Sequence, residues 1–317
     1  MAKNLPKNAR IDAATPETGL FKVRSKTAPR LKAEEFTTTV TPVGEEPIEV
    51  KYATPYALDD VDLRIYLAAV GLCSKDPMKV NKKSREETQK TLWDKFLPAH
   101  DALESDGAYT RTTSYALASA AGLGWGKNVP GRITESLEKM SHVFSTWRRG
   151  TRVMSGARML SFAHDEDSGE LLIGISPLFA QAILGNAERY IRVSLEEMRT
   201  LKNPAASVIH MVMSSRLAMY KGTKQRDTTI GIDVLAETVY GTPSSAKQRR
   251  DRRASIQKAF EELDALKCWH VIYNPKTGKV NFTRNTPNSL EHMMKNADRI
   301  EKELNETDEE YDAEEES

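Results

Sequence analysis

The feature that most constrains the fold is a segment near the C-terminus that is basic at one end and apolar at the other. It reads SSAKQRRDRR over residues 244–253, and Ile256, Ala259, Phe260, Leu263 and Leu266 follow it. Apolar residues three and four positions apart predict a helix, here to about residue 266, whose stripe packs against a core. Ser245 with Gln248 three residues later fits the capping-box pattern at a helix start. The sequence therefore predicts an anchored helix that exposes a basic N-terminal half.

The elements around this helix predict its architecture. A short helix capped by Asp233 and ended by Gly241 precedes it, and a hairpin over residues 269–273 and 280–283 follows. Helix, turn, helix and hairpin is the order of a winged helix. An earlier stretch repeats it, with helices over residues 115–121 and around Ile133, Leu137 and Met140, then strand-like runs over 142–147, 154–163 and 170–175. We predict an α+β, mainly helical fold with tandem winged-helix (helix-turn-helix plus β-hairpin) domains.

Charge is distributed unevenly along the chain. The whole chain has a formal net charge of +1, and because residues 301–317 contribute −9, residues 1–300 carry +10. We therefore predict a flexible basic arm over residues 1–32, a first winged-helix domain over 33–176, a second over 177–285 with the basic helix, and a disordered acidic tail over 286–317. A basic folded part favours a polyanionic partner.

The basic helix is the candidate site for that partner. Only Asp251 interrupts its cations, and no other nearby residue in the sequence pairs them. A helix N-terminus favours phosphate, and Arg and Gln side chains can contact guanine and adenine edges in two places. We therefore predict DNA contacts from Lys247, Gln248, Arg249, Arg250, Arg252 and Arg253, with Lys276 and Lys279 in the hairpin and a weaker signal from Lys127, Arg132, Arg148, Arg149 and Arg152. The alternative is a solvated charged face.

Enzyme motifs are present only as fragments. Residues 244–247 fit S-x-x-K and residues 276–278 fit K-T-G, but no S-D-N lies between them and the second match falls in a hairpin turn. The glycines over residues 122–127 fit neither phosphate-loop spacing. Two cysteines and scattered histidines form no metal-ligand set. We predict no enzyme activity, no cofactor and no metal.

The sequence also predicts a cytoplasmic location. The N-terminus lacks the apolar stretch of a signal peptide, and the longest mostly apolar run, residues 65–73, is too short to cross a bilayer.

Several stretches in a fixed order indicate a family. They are TGLF at residues 18–21, LDDVDLRI at 58–65, SGELLIGISPLFAQAILG at 168–185, YIRVSLEEMRTL at 190–201, and the basic helix at 247–269. Over residues 18–284 the chain resembles the RepC replication initiators of IncQ-type broad-host-range plasmids. Each stretch alone is unspecific, and their order and spacing carry the resemblance. The acidic tail and the region of residues 79–103 depart from the family pattern.

The resemblance implies a bacterial plasmid initiator. Such a protein binds direct repeats, called iterons, in double-stranded origin DNA, promotes opening of an adjacent AT-rich segment, and gives entry to a plasmid-encoded helicase and primase. Self-association is a further possibility, and no membrane partner is expected. The alternatives from other classes are a winged-helix transcriptional regulator or repressor and, from the S-x-x-K match, a hydrolase.

Overall fold

The computed structural model describes residues 5–24, 31–41, 46–98, 100–165, 168–185, 187, 190–218 and 225–285. Of these residues, 43% are helical and 31% lie in strands. The prediction of a mainly helical fold of tandem winged-helix domains is therefore wrong. The described part is an α+β structure in which the strands form four separate sheets.

The sheets are antiparallel throughout, and most of their pairings join distant parts of the chain. Their orders are β1-β10, β2-β3-β6-β7, β4-β5-β9-β8 and β11-β13-β12. The strands are β1 (Asn8–Ile11), β2 (Leu31–Val40), β3 (Ile48–Tyr56), β4 (Met78–Val80), β5 (Gly107–Thr113), β6 (Phe144–Arg149), β7 (Arg152–Arg158), β8 (Leu160–His164), β9 (Glu170–Ile175), β10 (Ile191–Ser194), β11 (Gln225–Gly231), β12 (Trp269–Asn274) and β13 (Lys279–Asn285).

The helices connect and cover these sheets. They are α1 (Asp60–Lys75), α2 (Glu87–Phe96), α3 (Ser114–Ala121), α4 (Val129–Ser141), α5 (Pro177–Leu184), α6 (Leu195–Thr200), α7 (Pro204–Arg216), α8 (Ile232–Tyr240) and α9 (Ala246–Asp264), with short 3₁₀ turns at Thr15–Glu17 and His100–Glu104.

Two helices, α1 and α7, form the centre of the core. Apolar and small residues occupy nearly every face of both helices, and most of their residues are buried. Such helices are stable only inside a protein. Gly71 in α1 permits this packing, because a Cβ at that position would collide with the side chain of Leu195. One continuous apolar cluster extends from β1 through α1 and α7 to α9 and β13.

Residues within the described segment 5–24 belong to this core. We predicted residues 1–32 as a flexible arm, but Asn8–Ile11 pairs with β10, and Leu20 and Phe21 are fully buried. The sequence did not indicate this, because the stretch shows neither helical nor strand periodicity. The boundaries near residues 176 and 285 stay predictions, and the predicted acidic tail lies outside the described residues.

Several helices begin at a side-chain cap. Asp59 caps α1, Thr113 caps α3 with Gly122 at its end, and Asn203 precedes Pro204 at the start of α7. The Asp233 prediction is wrong, because Gly231 is the N-cap of α8 and Asp233 lies inside the helix. Within the described residues, no helix is both long and apolar enough to span a membrane.

Candidate nucleic-acid interface

The basic helix α9 begins where its capping signal predicts. The Gln248 backbone N–H donates to Ser245 Oγ at 3.2 Å, and Gln248 Oε1 accepts from the Ser244 backbone N–H at 2.6 Å. The second bond reaches one residue further back than in a standard capping box. The first bond satisfies a backbone N–H group that the first turn of a helix leaves unpaired, and the second holds the residue before the N-cap, so the N-terminal end of α9 is fixed.

The C-terminal half of α9 is anchored on the core. Ile256, Ala259, Phe260 and Leu263 are buried. Glu262 adds a polar anchor, because Oε2 accepts from the backbone N–H groups of Lys202 and Asn203 at 2.8 and 3.0 Å. The basic half of α9 therefore extends from a rigid base, as the sequence predicts.

Three cations of the basic half project into solvent. Lys247, Arg249 and Arg250 are exposed. In the part of the chain that the structure describes, no carboxylate lies within ion-pair distance of these three side chains. Their positive charge is therefore not neutralised by ion pairs within the described fold.

The other two arginines of the segment hold α8 against α9. Arg252 donates to the carbonyl oxygen of Gly241 at 2.5 Å, and its guanidinium lies 5.6 Å from the centre of the Tyr240 ring. Arg253 makes a two-point ion pair with Asp233, whose pKa this hydrogen bonding lowers. The expectation that nothing nearby pairs the cations is therefore wrong for Arg253, because its partner lies on the neighbouring helix.

The hairpin of β12 and β13 brings two more cations to the same end. Its turn is closed by Asn274 Oδ1, which accepts from the Lys276 backbone N–H at 3.0 Å. The carbonyl oxygen of Gly278 accepts from the Ile232 backbone N–H at 2.9 Å, so the turn lies against the start of α8. Lys276 and Lys279 are exposed there. We call Lys247, Arg249, Arg250, Lys276 and Lys279 the α9 surface.

The predicted residues of the first half lie on other elements. Lys127 is exposed in the turn between α3 and α4, and Arg148, Arg149 and Arg152 surround the turn between β6 and β7. Arg148 stands opposite Glu49, and Arg149 stands opposite Arg152. Their contacts with DNA stay predictions, since they do not belong to the α9 surface.

Arg132, the remaining predicted residue, faces carboxylates inside the protein. It donates to Asp59 at 2.6 and 2.7 Å and to Asp62 at 3.3 Å. Asp62 is fully buried and also accepts from Ser136 Oγ at 2.6 Å and Lys139 Nζ at 3.3 Å. Burial, and then the nearby Asp59, raise the pKa of Asp62. A phosphate contact by Arg132 would compete with these bonds.

The structure also describes the residues behind the rejected enzyme motifs. Ser244 Oγ donates to Gln248 Oε1 at 3.1 Å, and residues 276–278 form the hairpin turn. Among the described residues, no three His, Cys, Asp or Glu side chains are grouped closely enough to hold a metal ion.

The sequence did not indicate three further residues that lie near the basic half of α9. Asp233 as the partner of Arg253 lies 20 positions away, and Lys22 and Lys32 line a cleft beside the turn between α8 and α9. Local periodicity carries no signal for contacts across such separations.

Comparisons with known proteins show the family of this chain. The family model of replication protein C (RepC) matches residues 14–286, and a search of curated proteins gave no match. A crystal structure of selenomethionine derivatives of domains 2 and 3 of RctB aligns with TM-score 0.49 and 10% identity, covering 83% of this chain and 94% of that chain. A second, of RctB domains 2–3 (RctB-155-483), has TM-score 0.47 and 10% identity and covers 88% of this chain and 99% of that one. Because the family model spans far more than half of the sequence, this chain belongs to the replication protein C family.

Proposed function

We propose that this protein initiates DNA replication by binding direct repeats at a plasmid origin through the α9 surface. The observation that carries the proposal is the group of unneutralised cations at the capped end of an anchored helix. Lys247, Arg249 and Arg250 lie on α9 itself, and Lys276 and Lys279 lie on the adjoining hairpin. Membership of the replication protein C family supports DNA as the polyanion.

The cations on α9 repel one another in the free protein. Like charges three and four residues apart destabilise a helix by a few tenths of a kcal/mol per pair, so the arrangement has a small cost in the free protein. DNA phosphates remove that repulsion, and the N-terminal end of a helix adds a favourable dipole. Arginine and glutamine can also read guanine and adenine edges, which gives a route to sequence preference.

We further propose that binding opens an adjacent AT-rich segment without covalent chemistry. Protein contacts favour opening only if they are stronger on the deformed DNA than on the straight duplex. The opened segment would then admit a plasmid-encoded helicase and primase, as the IncQ-type resemblance implies. Occupation of several repeats by several copies would supply binding energy for the opening.

Replacement of an initiator in the cell tests the proposal. A plasmid that keeps its origin but lacks its initiator gene should be maintained when this chain is supplied in trans. The Arg249→Ala/Arg250→Ala variant should fail to maintain it at equal protein level. Loss of the plasmid with the unmodified chain, together with repression of a promoter near the origin, would instead identify a transcriptional regulator.

Opening is tested with purified protein. On supercoiled origin DNA without ATP, thymines of the AT-rich segment should become reactive to permanganate, while the DNA stays unnicked. ATP hydrolysis or nicking that survives repurification and disappears with a point mutation would contradict a mechanism based on binding alone.

A further inference from the structure

A cleft of about 820 Å³ opens beside the turn between α8 and α9. Lys22, Lys32 and Glu34 line one side of it, and Gln248, Asp251 and Arg252 of α9 line the other. The cleft therefore joins an N-terminal stretch of the sequence to the first turns of the basic helix.

Backbone hydrogen bonds fix the N-terminal side of this cleft. The Val23 N–H donates to the carbonyl oxygen of Val239 in the last turn of α8 at 2.8 Å. The Lys22 N–H donates to the carbonyl oxygen of Leu58 at 3.2 Å. Lys22 is therefore held next to the end of α8 by the fold itself.

The charges of the cleft sum to an excess of cations. Glu34 is bound by Arg24 at 2.5 Å and by Lys32 at 3.0 Å, so one acid faces two bases. Lys22 is half-buried with its Nζ 4.9 Å from the centre of the Phe36 ring. Among the described residues, no carboxylate lies within ion-pair distance of Lys22. A half-buried cation without an ion pair favours an anion from outside the fold.

The cleft and the hairpin lie at opposite ends of α8. Val239 at the end of α8 contacts the cleft segment, and Ile232 at its start contacts the hairpin turn. Arg252 and Arg253, consecutive residues of α9, reach Gly241 and Asp233 respectively. Helix α9 therefore crosses α8 with a basic flank on each side. Nine residues of helix measure about 13 Å, close to the width of about 12 Å of a DNA major groove.

We infer that Lys22 and Lys32 contact backbone phosphates of the duplex on the side of α9 opposite the hairpin. The inference rests on the proposed function, since it requires a duplex over the α9 surface. The two phosphate rows that border a major groove would then meet Lys276 and Lys279 on one flank and Lys22 and Lys32 on the other. Asp251 at the rim of the cleft repels the same phosphates.

The salt dependence of binding tests this proposal in the full-length chain. The probe is a random-sequence duplex of about three helical turns, because binding to phosphates is independent of sequence. Lys22→Met with Lys32→Met should lower the slope of log affinity against log salt by about 0.9 for each phosphate that is no longer neutralised. Lys51→Met, which removes an exposed cation that pairs with Glu35 on β2, should leave the slope unchanged.

An increase in affinity provides a second test that misfolding cannot imitate. Asp251→Asn removes the acid at the rim, so affinity for the same duplex should rise, and more at low salt than at high salt. Lys32→Met alone, at a side chain that is 56% exposed, serves if the double variant does not fold.

The outcomes separate this inference from the proposed function. If Arg249→Ala/Arg250→Ala lowers the slope while the folded lysine variants do not, the role of the cleft is wrong and the α9 surface stands. If only the lysine variants lower it, the cleft binds DNA and the α9 proposal is wrong. If neither changes the slope, both are wrong.

Discussion

Two regions of the molecule share an order of elements but differ in where their cations point. Helices α3 and α4 followed by β6 and β7 match the order of α8 and α9 followed by β12 and β13. In the first region, Arg132 and Lys139 of α4 turn inward to carboxylates at the start of α1. In the second, Lys247, Arg249 and Arg250 of α9 face solvent. The order of elements therefore does not locate a binding surface.

The difference follows from what stands opposite each helix. The N-terminal end of α1 carries Asp59, which accepts from the backbone N–H groups of Val61 and Asp62 at 2.9 and 3.0 Å. Carboxylates are favoured at that end of a helix, and they attract the cations of α4. Opposite the exposed turns of α9, Asp233 is already paired with Arg253. On these two helices, the cations that meet carboxylates stabilise the fold, whereas Lys247, Arg249 and Arg250, which meet none among the described residues, are available to a partner.

The largest effect should come from breaking the inward network. Lys139 is buried and lies 3.3 Å from both Asp62 and Glu135. Lys139→Met leaves the buried Asp62 with less compensation, and we expect the free energy of unfolding to fall by about 3 kcal/mol. Urea unfolding at neutral pH measures this. DNA binding by the folded fraction should be unchanged.

Lys51→Met is the matched control for that variant. Lys51 forms an exposed ion pair with Glu35 at 2.8 Å, and removal of such a pair costs about 0–1 kcal/mol. Equal destabilisation by the two variants would show that the network on α4 contributes no more than a surface pair.

At α9 we expect the opposite result, a loss of DNA binding without a loss of stability. Arg249→Ala with Arg250→Ala should weaken origin binding severely and leave thermal unfolding unchanged, because neither side chain packs on the core. If both contact phosphates, the slope of log affinity against log salt falls by about 0.9 for each. If either reads a base, discrimination between sequences falls by about 1–3 kcal/mol. Binding titrations at several salt concentrations separate the two roles, and unchanged binding at all of them would contradict the prediction.

The sequence predicted elements that depend on neighbouring residues and missed strands whose partners are distant in the chain. The cap at Ser245 and the hairpin of β12 and β13 depend on neighbouring residues and were located correctly. Strands β2 and β11 were missed because they are largely polar, and β2 buries only Phe36. Their partners follow from the fold and not from the local pattern. The prediction of a mainly helical protein was wrong for this reason.

The candidate site, too, was predicted only in part. The cations of α9 could be found from the sequence because they are consecutive in it. The sequence does not show which arginines are already paired within the fold. Arg253 pairs with Asp233, 20 positions away, and Arg132 pairs with Asp59, 73 positions away. Lys22 and Lys32 were assigned to a flexible arm because nothing in their neighbourhood shows that residues 20 and 21 are buried.

A smaller effect concerns the attachment of the second region to the core. Buried His210 bonds Glu197 at 2.7 Å, and Glu197 also accepts from Trp269 of β12 at 3.1 Å. Burial lowers the pKa of His210 below 6.5 despite Glu197. Below about pH 6.5 the unfolded chain therefore binds a proton that the folded protein resists, and stability falls as the pH decreases. The pKa of Glu197 is lowered too. Burial alone would raise it, but His210, Arg284 and Trp269 together outweigh that effect, so acidification to lower pH acts in the same direction.

We expect His210→Gln to reduce this pH dependence. Urea unfolding at pH 7 and pH 5 gives the decrease in the free energy of unfolding on acidification for both proteins. The decrease should be smaller in the variant, by at most about 1.4 kcal/mol for each pH unit in which only the unfolded chain is protonated. An equal decrease in the two proteins would place the acid sensitivity elsewhere, and origin binding at neutral pH should be the same.

The smallest effect concerns the acids of the chain that could neutralise the second region. Residues 301–317 carry a net charge of −9 and lie outside the described residues, while residues 1–300 carry +10. If this tail competes with DNA for the α9 surface, a chain ending at Asn296 should bind random-sequence DNA more tightly than the full chain. The difference should be larger at 0.01 M salt, where charges interact over about 30 Å, than at 0.15 M, where the range is about 8 Å. Anisotropy titrations of both chains at the two salt concentrations measure it. Equal affinities at low salt would mean that the acids only add solubility, and that they do not neutralise Lys247, Arg249 and Arg250.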